Sequence, residues 1–141
     1  MKKTIIAVVA AVICVGLIIG AVAMFNDIFP KAAPIRCPEA DEVVSVSVAC
    51  NSCDDRTEVY DMDLDALLEH LRDAKPTRSQ SLDDYPSARP YYLIRLRSDQ
   101  REYSYFIYES GTQVYVEMPY EGIYKSDEWV FNFVLKYFEE A

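Results

Sequence analysis

Residues 5–25, IIAVVAAVICVGLIIGAVAMF, run for 21 positions without a charge or a polar amide, and Lys2 and Lys3 stand just ahead of them. At about 1.5 Å rise per residue, a helix of this length spans roughly 30 Å, the hydrocarbon thickness of a bilayer. The run predicts a transmembrane anchor over residues 1–25, with the lysines kept inside and everything after Phe25 outside the cell membrane. The alternative is a signal peptide cleaved after Ala21-Val22-Ala23, which would release a secreted protein. The apolar run is longer than the ~7–15 residues of a signal-peptide core, which favours the uncleaved anchor. Cys14 follows Ile13 inside the run and is read as an apolar filler, not a lipidation site.

Residues 26–141 must then fold outside the membrane. With Lys2 and Lys3 set aside, they hold 12 basic and 23 acidic side chains, a net charge of −11. Such a surface repels nucleic acid and anionic headgroups, so a neutral or basic partner is expected. Pro30, Pro34 and Pro38 recur every fourth residue, which blocks helix and predicts an extended linker over 26–42. The folded domain is expected over 43–141.

Val43–Val48 alternates valine with serine, the period of a half-buried strand, and a second short strand is expected around Thr57–Tyr60. A helix follows, capped by Asp61 or Asp63, with Leu64, Leu67, Leu68 and Leu71 on one face. The stretch 76–90, rich in Ser, Asp, Arg and Pro, reads as a loop. Three strands come next at hairpin spacing, 91–97, 102–109 and 112–118. A last helix, expected to be capped by Ser126, carries Trp129, Val130, Phe133, Val134 and Tyr137 on one stripe. The fold class is α+β: a single domain in the order ββαβββα, mainly antiparallel, with two helices on one face of the sheet.

Alternation turns Tyr92, Ile94, Leu96, Tyr103, Tyr105 and Ile107 to one side of that sheet. The opposite side carries Leu93, Arg95, Arg97, Phe106, Tyr108, Tyr115 and Glu117. Exposed tyrosine with arginine suits recognition, and the same residues suit cross-strand pairing on a wet sheet. Arg95, Arg97, Phe106, Tyr108 and Tyr115 are the candidate binding residues. The partner would be an envelope protein, a peptide or a glycan.

Other chemistry is poorly supported. Cys50-Asn51-Ser52-Cys53 has redox spacing, but Asp54 and Asp55 follow it, where a thioredoxin-type thiol needs a helix N-terminus. A zinc site from Cys37, Cys50, Cys53 and His70 has the right ligand count without tight spacing in the second pair. The plainer reading is a structural disulfide between Cys37 and either Cys50 or Cys53. The run Asp61-Met62-Asp63-Leu64-Asp65 lacks the Gly and Glu that a calcium loop requires at positions six and twelve. One histidine, no G-x-S-x-G and four glycines leave no serine triad or phosphate-cradling loop. No cofactor and no catalytic role are expected. An envelope thiol-disulfide or zinc protein using Cys50 and Cys53 is the alternative to a binding domain.

Four segments occur in a telling order: Ala74-Lys75-Pro76-Thr77, Asp83-Asp84-Tyr85-Pro86, Tyr103-Ser104-Tyr105-Phe106-Ile107-Tyr108 and Met118-Pro119-Tyr120-Glu121-Gly122-Ile123-Tyr124. Together, over about residues 35–140, the chain resembles a family of small membrane-anchored domains of unknown function from Firmicute bacteria. The resemblance implies a location and a domain type, and it transfers no functional residue.

Overall fold

The computed structural model describes residues 1–52 and 57–139. The chain divides into two compact units, Met1–Lys31 and Ala32–Ala141. The first is one helix, α1 (Lys2–Ile28), none of whose residues is buried. It is long and apolar enough to cross a membrane. With no polar stripe along it, the helix has no apolar face to pack and would be exposed all round in water.

The second unit is α+β, as the sequence predicts. Its elements run β1 (Val43–Cys50), β2 (Thr57–Val59), α2 (Leu64–Arg72), β3 (Lys75–Pro76), β4 (Tyr91–Ser98), β5 (Glu102–Ser110), β6 (Gln113–Met118), β7 (Gly122–Ser126) and α3 (Glu128–Glu139). They form one antiparallel sheet in the order β2-β1-β4-β5-β6-β7-β3. The expected period-2 faces are present. Val46, Val48, Ile94, Leu96, Tyr105, Ile107, Val114, Val116 and Tyr124 meet Leu67, Leu68 and Leu71 of α2 and Val130, Phe133 and Val134 of α3 in the main core.

Two short strands were absent from the sequence reading, and each has a local cause. Strand β3 is two residues long, too short to carry a period. Strand β7 follows the tight turn at Met118–Glu121, where the Glu121 N–H donates to the Met118 carbonyl at 3.0 Å. Because Ser126 ends β7, it does not cap α3. Asp127 does, accepting the Val130 N–H at 3.2 Å. Asp63 caps α2 by accepting the Ala66 N–H at 3.1 Å.

Strand order dictates what lies over each face. Strands β2 and β3 are the two edges, so the chain crosses the whole sheet between them through α2. It must then return to place β4 beside β1, and residues 77–90 make that return. One crossing is helical and covers the main core. The other is irregular and covers the opposite face.

The segment from Ala32 belongs to the folded unit, which takes in residues 32–42 of the expected linker. Its prolines keep it extended, and its backbone groups are satisfied by the domain. The Ala32 N–H donates to Thr77 O at 2.9 Å. The hydroxyls of Tyr124 and Tyr105 donate to the carbonyls of Ala33 and Arg36 at 2.9 and 2.6 Å. Arg72 reaches the Pro38 carbonyl at 3.1 Å and the Glu39 carboxylate at 3.0 Å. Ala32, Ile35 and Cys37 pack against the main core.

This strap explains one glycine. A Cβ on Gly122 would collide with the Cβ of Ala32. Gly122→Ala is expected to lower stability by about 1–3 kcal/mol through overpacking. Limited proteolysis should then cut within residues 32–38 of the variant while the wild type resists. Equal protection of the two proteins would mean that the strap is not held by this contact.

Candidate functional site

The sheet face opposite the helices was the candidate binding surface. Across it, directly paired residues form two adjacent rows. One row reads Lys75, Lys125, Tyr115, Tyr108, Tyr91. The next reads Ile123, Glu117, Phe106, Leu93, Ala49. Tyr91, Leu93, Phe106 and Tyr108 form a second, smaller core there, with Ala49, Ala88 and Tyr115 against it.

The sequence reading pictured this face as open to solvent. The 77–90 return closes much of it, laying Tyr85, Ala88 and Arg89 over it. Phe106 is 2% exposed and Tyr108 7% exposed, so neither presents its ring as a surface contact. Tyr85 of the return sets its ring edge-on to Phe106 at 5.8 Å, and Arg89 places its guanidinium 4.8 Å from the Tyr91 ring centre. Tyr108 and Tyr115 stack at 5.8 Å across β5 and β6, the cross-strand arrangement.

Glu117 sits at the centre and is buried. Ser81 donates to its Oε1 at 2.6 Å and Tyr108 to its Oε2 at 3.1 Å. Burial, and then the adjoining Glu117 carboxylate, push the Tyr108 phenol well above its usual pKa, so it stays a neutral donor. A second tie lies at Tyr120. Its hydroxyl donates to Asp84 at 2.8 Å, while its backbone sits in the left-handed region at φ 61°. A non-glycine residue there costs about 1–2 kcal/mol, and a tyrosine at that position reaches the return loop where a glycine would not.

The return leaves a cleft of about 400 Å³, bordered by Leu82, Asp83, Tyr85, Tyr108, Tyr115 and Glu117. Tyr85 and Leu82 are exposed at its mouth, and Tyr115 is half-buried. Arg95 and Arg97 lie further along β4, outside this cleft. Arg95 is half-buried with its Nε 3.6 Å from Glu102, and Arg97 is exposed. Of the five candidate residues, Tyr108 and Tyr115 border the cleft, Phe106 lies in the small core beneath, and Arg95 and Arg97 form a separate stretch. Glu117 and Tyr85 complete the cleft, and Ser81 holds Glu117 from behind. Alternation alone placed Glu117 on this face, whereas no periodic signal marks Tyr85 or Ser81.

The cysteines are arranged differently from the expected pairing. Cys37 carries a free thiol and Cys50 is disulfide-bonded, so Cys37 is not the disulfide partner. Cys53 lies outside the described residues. Burial raises the Cys37 pKa, with the nearby Tyr105 hydroxyl pulling the other way. Among the described residues no three His, Cys, Asp or Glu side chains converge, so Cys37, Cys50 and His70 make no common ligand set. His70 instead places Nδ1 2.8 Å from Asp127 and stacks on Trp129 at 3.9 Å, joining α2 to the start of α3.

The chain matches the model of a family described as "Domain of unknown function (DUF5300)" over residues 31–125, from the strap into β7. It is also similar to a solved structure described as the NMR structure of the protein from Ruminococcus gnavus. The two share 29% identity with a TM-score of 0.53, over 66% of this chain and 91% of that one. Nothing among curated proteins matches the sequence.

Proposed function

Since the chain belongs to this family of unknown function, its own residues must supply the reading, and we propose a non-catalytic, membrane-tethered domain that binds an envelope partner outside the cell. The single observation that carries it is the cleft where Tyr85 and Tyr115 offer ring surface beside the Glu117 carboxyl. Aromatic area at low conformational cost, with a few polar groups to fix orientation, is the composition of a recognition site. Exposed Asp83 at the cleft, and the net charge of −11 over residues 26–141, favour a peptide that combines apolar and basic side chains. Helix α1, behind Lys2 and Lys3, would serve as the tether. Arg97, exposed on the same sheet, would extend the contact surface for a longer partner.

Two measurements test this reading. Protease added to intact cells should degrade the domain and leave α1 protected; protection of the domain until lysis would overturn the outward placement. For binding, the full chain in neutral detergent micelles would be titrated with a panel of short Arg/Lys-plus-aromatic peptides. Tyr85→Ala and Tyr115→Ala should each weaken the best binder about tenfold, measured well below the melting temperature of each variant because both rings also touch the small core. Tyr108→Ala is unsuitable, since that ring belongs to the small core. Saturable binding that both alanine variants leave intact would remove the cleft from consideration.

A further inference from the structure

A second cleft, of about 380 Å³, lies where the β3–β7 edge of the sheet meets the end of α2 and the start of α3. His70, Asp73, Lys75, Lys125, Ser126 and Asp127 border it. Lys75 and Lys125 face each other directly across the two strands. Like charges placed so oppose pairing, and no other directly paired positions among the described residues carry two like charges. Arg36, Arg72, Arg95 and Arg101 are ion-paired, while Arg89 and Lys136 lie over aromatic rings. Among the described residues, neither lysine has an acidic or aromatic partner, although the chain carries 23 acids.

The nearby acids do not neutralise them. Both oxygens of Asp127 are taken, one by His70 and the other by the Val130 N–H. Asp73, exposed just after α2, forms no ion pair with either lysine. The Ser126 hydroxyl is shielded from solvent and has no hydrogen-bond partner among the described residues. A shielded hydroxyl without a partner is rare enough to need a cause. Because Nδ1 of His70 is held by Asp127 and its ring lies flat on Trp129, its Nε2 is left for a ligand.

We propose that this cleft binds a phosphate-class oxyanion. Lys75 and Lys125 act as the two point charges that a phosphate dianion neutralises, the inner Ser126 hydroxyl supplies an unpartnered donor, and His70, with its ring protonated, donates from Nε2. The repulsion between the lysines is relieved when the anion is bound. The same phosphate could arrive as a small soluble phosphate or as a lipid headgroup. This site shares no residue with the tyrosine cleft, so it stands or falls apart from the peptide reading.

Trp129 is the chain's one tryptophan, so its emission reports on the ring stacked against it. The full chain in neutral detergent micelles would be titrated with inorganic phosphate at fixed pH and constant ionic strength. A saturable emission change is expected, with affinity lowered about tenfold or more in Lys75→Gln/Lys125→Gln. That double variant should melt at the same or a higher temperature, which separates lost binding from lost folding. Micelles doped with phosphatidic acid form the second arm. Stronger competition from them than from free phosphate would identify a headgroup as the source, and weaker competition a soluble phosphate. A linear response matched by chloride, or unchanged affinity in the double variant, would overturn the proposal.

Discussion

Replacing Tyr105 with alanine should cost about 3–5 kcal/mol, the range for removing a large aromatic from a packed core. The ring is fully buried among the sheet residues beneath the helices, and Tyr103 lies parallel to it at 6.5 Å. Its hydroxyl leaves the core to donate to the Arg36 carbonyl at 2.6 Å. Burial, followed by the neighbouring Cys37, raises its pKa far above the usual phenol value, so it remains a donor at every working pH. Tyr105→Phe keeps the ring and removes that donor, and should cost about 1 kcal/mol. The pair of variants therefore separates packing from tethering. Cys37 provides the readout, because its thiol is free and half-buried in the strap. Thiol labelling of native Tyr105→Phe should be several times faster than wild type. Unchanged labelling would show that packing of Ile35 and Pro38, not the hydroxyl, holds the strap down.

Glu117→Ala is expected to destabilise the domain by about 2–4 kcal/mol, since each buried hydroxyl left without an acceptor costs about 1–3 kcal/mol. Two lose theirs together, Ser81 and Tyr108. The loss should fall unevenly. The sheet and helices keep their own core, while the 77–90 return loses its central attachment and keeps the Tyr120–Asp84 bond and the Tyr85 ring contacts. Protease should therefore cut between residues 79 and 89 under conditions where the helices remain intact by circular dichroism. Glu117→Gln, which retains one acceptor oxygen, should fall between alanine and wild type. A glutamine variant as unstable as alanine would point to the carboxylate charge as the essential property.

The leucine spacing of 64–71, the valine-serine alternation of 43–48 and the alternating tyrosines of 103–108 located most of the main elements and gave the correct sides. Those are local properties, since a period of 2 or 3.6 is written within a few consecutive residues. The same reading placed Phe106 and Tyr108 on the face away from the helices, where they are, and pictured them in solvent, where they are not. Whether a face is covered depends on strand order. That order turns on β3, whose Lys75 and Pro76 carry no period. Once β3 pairs with β7 at the far edge, the chain has to cross the sheet again to reach β4, and it does so over the second face.

By itself, then, the sequence determined the apolar N-terminal helix, the α+β class and the side of the sheet to which most of its strand residues point, because each follows from spacing along the chain. The tertiary structure alone decided the strap over residues 32–38, the buried Glu117 with its two hydroxyl donors, and the facing pair Lys75 and Lys125. Each of these joins residues far apart in sequence. Such contacts form only after the strand order is set, and no pattern within a single segment encodes them.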